Sequence, residues 1–254
     1  METLKQTKLY IFSTILIVVF FTTHVFSSYA SALVPDIKDS PYTKEWNDAY
    51  IWSYTLNITT NPDIKEANLK WVLYRKIAAK MMAEFAINVV HLTPDKNRIC
   101  NFKDIHKEID ELQQYIQLSC QLGIMGVDYY GNPDTIFNPN YVLTRDQLVT
   151  MFSRVLFGTK YNIKEGELTF MDRVKNFFFH SLINIYTALG IKPPVATSLD
   201  RYTKHMEAIK KLWIMTNYTS TLKEFKGYVM VMMYSLDKMG IEKIQKDDKN
   251  TFEK

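Results

Sequence analysis

The sequence predicts a mainly α-helical protein built from repeats of one unit, two helices joined by a turn-rich loop. Three observations point there. Apolar residues recur at i, i+3, i+4 and i+7 along most of the chain. No stretch alternates apolar with polar as a half-buried strand would. Three similar openings precede the later helix of each unit: Leu73-Tyr74-Arg75-Lys76, Leu143-Thr144-Arg145-Asp146 and Ser220-Thr221-Leu222-Lys223. They recur at 70 positions (75 to 145) and 77 positions (144 to 221). One helix pair cannot bury its apolar face alone, so stacked copies share a core.

The elements follow in order. Residues 1–32 read as a targeting segment. Lys5 and Lys8 form a basic start, residues 10–21 are almost wholly apolar, and Ala30-Ser31-Ala32 is a small-x-small cleavage signal with Ala30 and Ala32 at its key positions. The alternative is an uncleaved anchor. No second long apolar run follows, so the remainder is expected to have no membrane span. The first unit, 33–98, holds a helix over 42–56 with Trp46, Ala49, Tyr50 and Ser53 on one stripe, and a longer helical pattern over 63–89.

The second unit, 99–160, has the clearest punctuation. A helix over 107–122 stops at Gly123, which can take positive φ. A loop follows, broken by Gly131-Asn132-Pro133 and Asn138-Pro139-Asn140. Thr144 then caps a helix, with Gln147 as its capping-box partner, and Gly158 ends it. The third unit, 161–240, opens with a linker helix through Phe177, Leu182 and Leu189. A helix follows over 202–213, and Thr221 with Glu224 is expected to open the last one. Residues 241–254 read as a frayed, charged tail.

Composition excludes several functions. A net charge of +4, spread along the chain, gives no electrostatic footprint for nucleic acid. No HExxH pair, nucleophile elbow, P-loop or dinucleotide fingerprint occurs, so no enzyme activity and no cofactor are expected. Cys100 and Cys120 lack metal-site spacing, so no metal is expected either. An exported chain with two cysteines favours one disulfide between them; two free buried thiols are the alternative.

The central motifs resemble the S-layer homology (SLH) domain. They are Phe102-x-Asp104-Ile105, Ile116 with Gly123-Ile124 seven residues on, Phe137-x-Pro139, and Thr144-Arg145. The run Cys120-Gln121-Leu122-Gly123-Ile124-Met125-Gly126, with Cys100 ahead of the Phe, is similar to a divergent subgroup of secreted bacterial SLH proteins. The resemblance implies three repeats in a pseudo-three-fold helical bundle. It implies a secreted, cell-surface protein held non-covalently by an acidic, often pyruvylated, wall polysaccharide. Other surface-layer proteins would be its further partners.

Carried onto this sequence, the resemblance makes Arg145 and Arg75 the basic ligands and Thr144 the motif threonine. It makes Trp46 a stacking ring, and Gly123 and Gly126 the loop glycines of the groove. The sequence departs from the pattern at several places. Glu111 stands at the Trp position of the second unit and Gln147 at the motif Glu. Tyr74 replaces the first Thr, Asn57 stands near the first Gly, and Leu222 occupies the third Arg position.

Read without the resemblance, Arg145 is either an anion ligand at a helix start or a surface partner of Asp146 or Asp128. A second reading of the whole chain is a helical scaffold that binds a protein partner through Trp213, Met215, Met230, Met232 and Met233.

Overall fold

A computed structural model describes residues 35–164, 202–215 and 222–252. Among the described residues the chain is helical: α1 (Lys44–Thr55), α2 (Arg75–Asn88), α3 (Asp110–Gln121), α4 (Arg145–Phe157), α5 (Thr203–Lys210), α6 (Lys226–Met239) and α7 (Ile241–Phe252). Extended backbone makes only isolated bridges there. No described helix is long and apolar enough to cross a membrane. The targeting segment with Ala30 and Ala32, the linker helix to Leu189 and the cap at Thr221 lie outside the described residues.

Local chemistry sets the helix ends. Thr43 caps α1 by accepting from the Trp46 N–H at 3.4 Å. Thr144 caps α4, and the Gln147 side chain reaches back to the Thr144 N–H, also at 3.4 Å. Gly158 ends that helix at φ +61°.

Several expected boundaries move. The helix expected from 107 begins at Asp110, and the one expected to reach 213 ends at Lys210. The 63–89 pattern is a helix only from Arg75: Asn68 sits at φ +53°, Tyr74 is extended, and Trp71 is 68% exposed. The last long helix begins at Lys226, not near Thr221, because the backbone of Leu222 to Phe225 is engaged in pairing with other segments. The charged tail is the helix α7. Its Ile244 is buried, and its Gln245 side chain donates to the Leu156 carbonyl at 3.0 Å, near the end of α4.

Those extended segments organise the fold. The residue before each N-cap donates its N–H to the next segment in turn: Leu143 to Leu73 O (2.7 Å), Leu73 to Glu224 O (2.7 Å) and Glu224 to Leu143 O (3.0 Å). The three bonds close a ring. The first helical residues repeat it, with Arg75 N–H on Tyr141 O (2.9 Å), Arg145 on Leu222 O (2.8 Å) and Lys226 on Trp71 O (3.2 Å). Bonding between segments satisfies donors that a helix start otherwise leaves open.

Helix packing follows the same circuit: α2 lies on α3, α4 on α5 and α6 on α1, so each later helix packs against the first helix of another unit. The core runs through all of them. Phe85 of α2 meets Phe152 of α4 edge-on with centroids 6.2 Å apart, and Trp52 of α1 bridges Phe85 and Tyr234 of α6. Burying one such ring is worth about 2–3 kcal/mol, so the circuit is held mainly by apolar area.

The turns after the first helices are alike too. Asn57, Gly123 and Trp213 all have positive φ (+58°, +74° and +54°), and each donates its N–H to the carbonyl three residues back. Each is followed by an isoleucine. Asn57 therefore takes the place expected of the first Gly. Ser53 and Ser119 each accept, through their carbonyls, from Ile58 and Thr59 and from Ile124 and Met125. In that register Trp46 corresponds to Leu112 in α3, one position beyond the expected Glu111.

Candidate functional site

The first residue of each later helix is basic: Arg75 on α2, Arg145 on α4 and Lys226 on α6. The third basic residue was expected to be missing, with Leu222 in its place. The position is Lys226, because the last helix starts four residues after Leu222. Each of the three side chains reaches across a seam to a different unit.

Arg75 donates from Nε to Phe137 O at 2.9 Å and lies over the Phe137 ring, 4.9 Å from its centroid. Lys226 donates to Ala67 O at 3.1 Å. Burial, and then the nearby Lys80 charge, lower its pKa from the usual lysine value. Arg145 grips Glu224: Nε donates to one carboxylate oxygen, and the terminal nitrogen lies 3.3 Å from the other. Glu224 is fully buried. The acid beside Arg145 is therefore neither Asp146 nor Asp128. Asp146 accepts from Thr144 Oγ1 and the Gln147 N–H.

A cavity of about 340 Å³ opens at the Arg75 seam. Arg75 lies at one side and Gly126 at another, with Gln147 and Thr150 of α4 and the rings of Tyr129, Tyr141 and Tyr202 around them. Asp128 also lines it, but its Oδ1 accepts from the N–H groups of Tyr130, Gly131 and Asn132 at 2.8–2.9 Å, so it acts as a turn cap. Arg154 fixes the back wall, donating to Asn162 Oδ1 (3.1 Å) and to the Asp128 carbonyl (2.7 Å). Hydroxyls, amides, the guanidinium groups of Arg75 and Arg154, the carboxylates of Asp128 and Asp134 and flat rings around a concave space are the materials of a site for a polar, ring-shaped ligand.

Of the six expected ligand-site residues, the cavity brings together Arg75 and Gly126. A Cβ at Gly126 would collide with the Phe102 ring, so its glycine keeps the loop close to that wall. Gly123 faces the Arg98 guanidinium. Thr144 serves as the N-cap and bridges Lys223. Trp46 lies at the α1–α6 seam, stacked on Tyr42 (5.4 Å) and edge-on to Tyr228 (5.2 Å), where Gly227 leaves room for its ring.

Cys100 and Cys120 are joined, with Cα atoms 6.1 Å apart, and tie the lead into the second unit to the end of α3. Among the described residues no three His, Cys, Asp or Glu side chains converge as a metal site would need. Of the second reading's residues, Met215, Met230, Met232 and Met233 are buried, whereas Trp213 is 84% exposed.

His205 of α5 is buried, with Nδ1 2.9 Å from Ser153 Oγ on α4. Burial, then the charges of Arg154 and Lys204, hold its pKa down to about 3.

Sequence reasoning missed Glu224 and Lys226 as seam residues. The signal was present: a basic residue follows an aromatic at Phe225-Lys226 as it does at Tyr74-Arg75. The better-looking capping pair Thr221 and Glu224 hid it. No family model, curated protein or solved structure matches the chain.

Proposed function

We propose that the three units are SLH-like repeats about a pseudo-three-fold axis, and that the protein is an exported, non-catalytic anchor. It binds an acidic secondary wall polysaccharide and holds itself, or a surface layer with it, at the cell wall. The closed circuit of backbone bonds and the matching turns at Asn57, Gly123 and Trp213 support the repeat. The Cys100–Cys120 disulfide accords with an oxidising location outside the cytoplasm.

The observation that carries the binding reading is the seam cavity in which Arg75 and Gly126 meet. The Arg75 guanidinium, at the first residue of α2, sits where a helix start already favours negative charge. The Arg75 guanidinium would pair with the carboxylate of a sugar acid, and Asp134 at the same cavity, with the hydroxyl and amide groups of Thr150 and Gln147, would bond its ring hydroxyls. The tyrosines offer faces on which a pyranose ring can lie.

The test is sedimentation with purified wall. Arg75→Ala should leave the protein in the supernatant, while Lys44→Ala, at an exposed position of α1 that does not line the cavity, should sediment as wild type does. Equal sedimentation of folded Arg75→Ala and wild type would remove the seam from the mechanism.

A further inference from the structure

Leu73, Leu143 and Glu224 occupy the three corners of the backbone ring. All three are buried, yet one of them is an acid. A carboxylate there needs a charged partner, since an unpaired buried charge is strongly unfavourable. Arg145 supplies it through both ends of its fork. That fork is also the geometry by which an arginine holds a ligand carboxylate. Beside Arg75, whose N–H bonds to Tyr141, the ring corner is Leu143; beside Lys226, whose N–H bonds to Trp71, it is Leu73.

We infer that Glu224 is a built-in carboxylate occupying the anion site of Arg145, so that the chain accepts an acidic sugar at the Arg75 seam and refuses one at the Arg145 seam. The N–H of Glu224 is fixed to the Leu143 carbonyl, and its side chain has no exposed surface. An entering carboxylate must therefore expel a group that cannot reach water. What the ligand gains from the guanidinium, Glu224 loses. The identity of the ligand rests on the wall-polymer reading; the occupancy of Arg145 does not.

The experiment has two arms, run on the full chain with Glu224→Leu, which restores the corner residue of the other two units, and with Glu224→Gln, which keeps the shape. The first arm maps arginine modification by phenylglyoxal with mass spectrometry. Arg145 should be protected in wild type, and its modification rate should rise by about tenfold in a variant that keeps its circular-dichroism melt, as expected for loss of one charge-assisted contact. The second arm titrates a soluble 4,6-O-pyruvylated mannoside by calorimetry. Glu224→Leu should bind one equivalent more than wild type, whereas Glu224→Gln, which still fills the site, should bind no more than wild type does.

Rapid modification of Arg145 in wild type, or a folded Glu224→Leu variant in which it stays protected, overturns the inference. So does a Glu224→Leu variant with reactive Arg145 that binds sugar but no more of it than wild type does. Protection and release of Arg145 as expected, with no sugar bound by any form, would uphold the occupied site and reject the wall-polymer reading.

Discussion

The Arg75 and Arg145 seams share a backbone and differ in what stands beside the guanidinium. At the first, the neighbouring corner is Leu143, and Arg75 settles on a carbonyl and a ring at the rim of a cavity. At the second, the corner is Glu224, and the same residue type is drawn into a buried ion pair. The residue at one corner of the backbone ring thus goes with an arginine at a cavity rim in one seam and with a buried ion pair in the other. A motif residue is only as available as its neighbour permits.

The largest effect should come from breaking this contrast at Arg145. Arg145→Ala leaves Glu224 buried without a partner and should cost about 3–5 kcal/mol in urea unfolding. Arg75→Ala loses a charge-assisted bond and a cation–π contact and should cost about 1–3 kcal/mol. Adding Glu224→Leu to Arg145→Ala should recover most of the loss, because an apolar corner replaces an orphaned charge. Equal costs for the two single variants would erase the difference between the seams.

The second unit, which lends its loop to the Arg75 seam, carries the disulfide. Replacing Cys100 and Cys120 by alanine removes a link across a separation of 20 residues. It should cost about 3 kcal/mol in the chain-entropy account, read as a lower urea midpoint. An unchanged midpoint would show that the cavity wall is held by packing alone.

Acid should act through the α4–α5 contact. Among the described residues, the groups facing His205 are Ser153 and Arg154 of α4 and Lys204 of its own helix. Its folded pKa of about 3 lies below the unfolded value near 6.5, so the unfolded chain binds the extra proton between them. The stability from neutral His205 is complete above pH 6.5 and is lost as pH falls toward 3. His205→Gln should flatten the pH dependence of the unfolding midpoint in that window. An unaltered slope would assign acid sensitivity to other groups.

The smallest effect compares the turns of the second and third units. Trp213 is bulky, exposed and left-handed, where the second unit has Gly123. Trp213→Gly should stabilise by about 0.5–1 kcal/mol and Gly123→Ala destabilise by about 1 kcal/mol, both measured by thermal melts. A destabilised Trp213→Gly would mean that the ring is engaged in something the exposed turn does not account for.

The second unit was legible because its punctuation is local. Gly123, Thr144 with Gln147, and Gly158 each act within a few residues, and all three behave as their chemistry requires. The first unit misled because apolar residues at helical spacing continue back from α2 through Trp71 and Ala67, while the ring takes the backbone of Leu73 out of helix. The third misled for the opposite reason: Thr221 and Glu224 satisfy a local capping rule that pairing with two distant segments overrides. The cavity was legible only as separate residues, Arg75 and Gly126. Glu224 could not be read as the partner of Arg145, since nothing local joins positions 79 residues apart.

A crystal structure of the protein soaked with a pyruvylated mannoside tests the binding account most directly. The account predicts the sugar's carboxylate within hydrogen-bond reach of Arg75, its ring in the cavity beside Gln147 and Thr150, and Glu224 still paired with Arg145. A sugar seated on Arg145 with Glu224 displaced, or bound away from both seams, would contradict it.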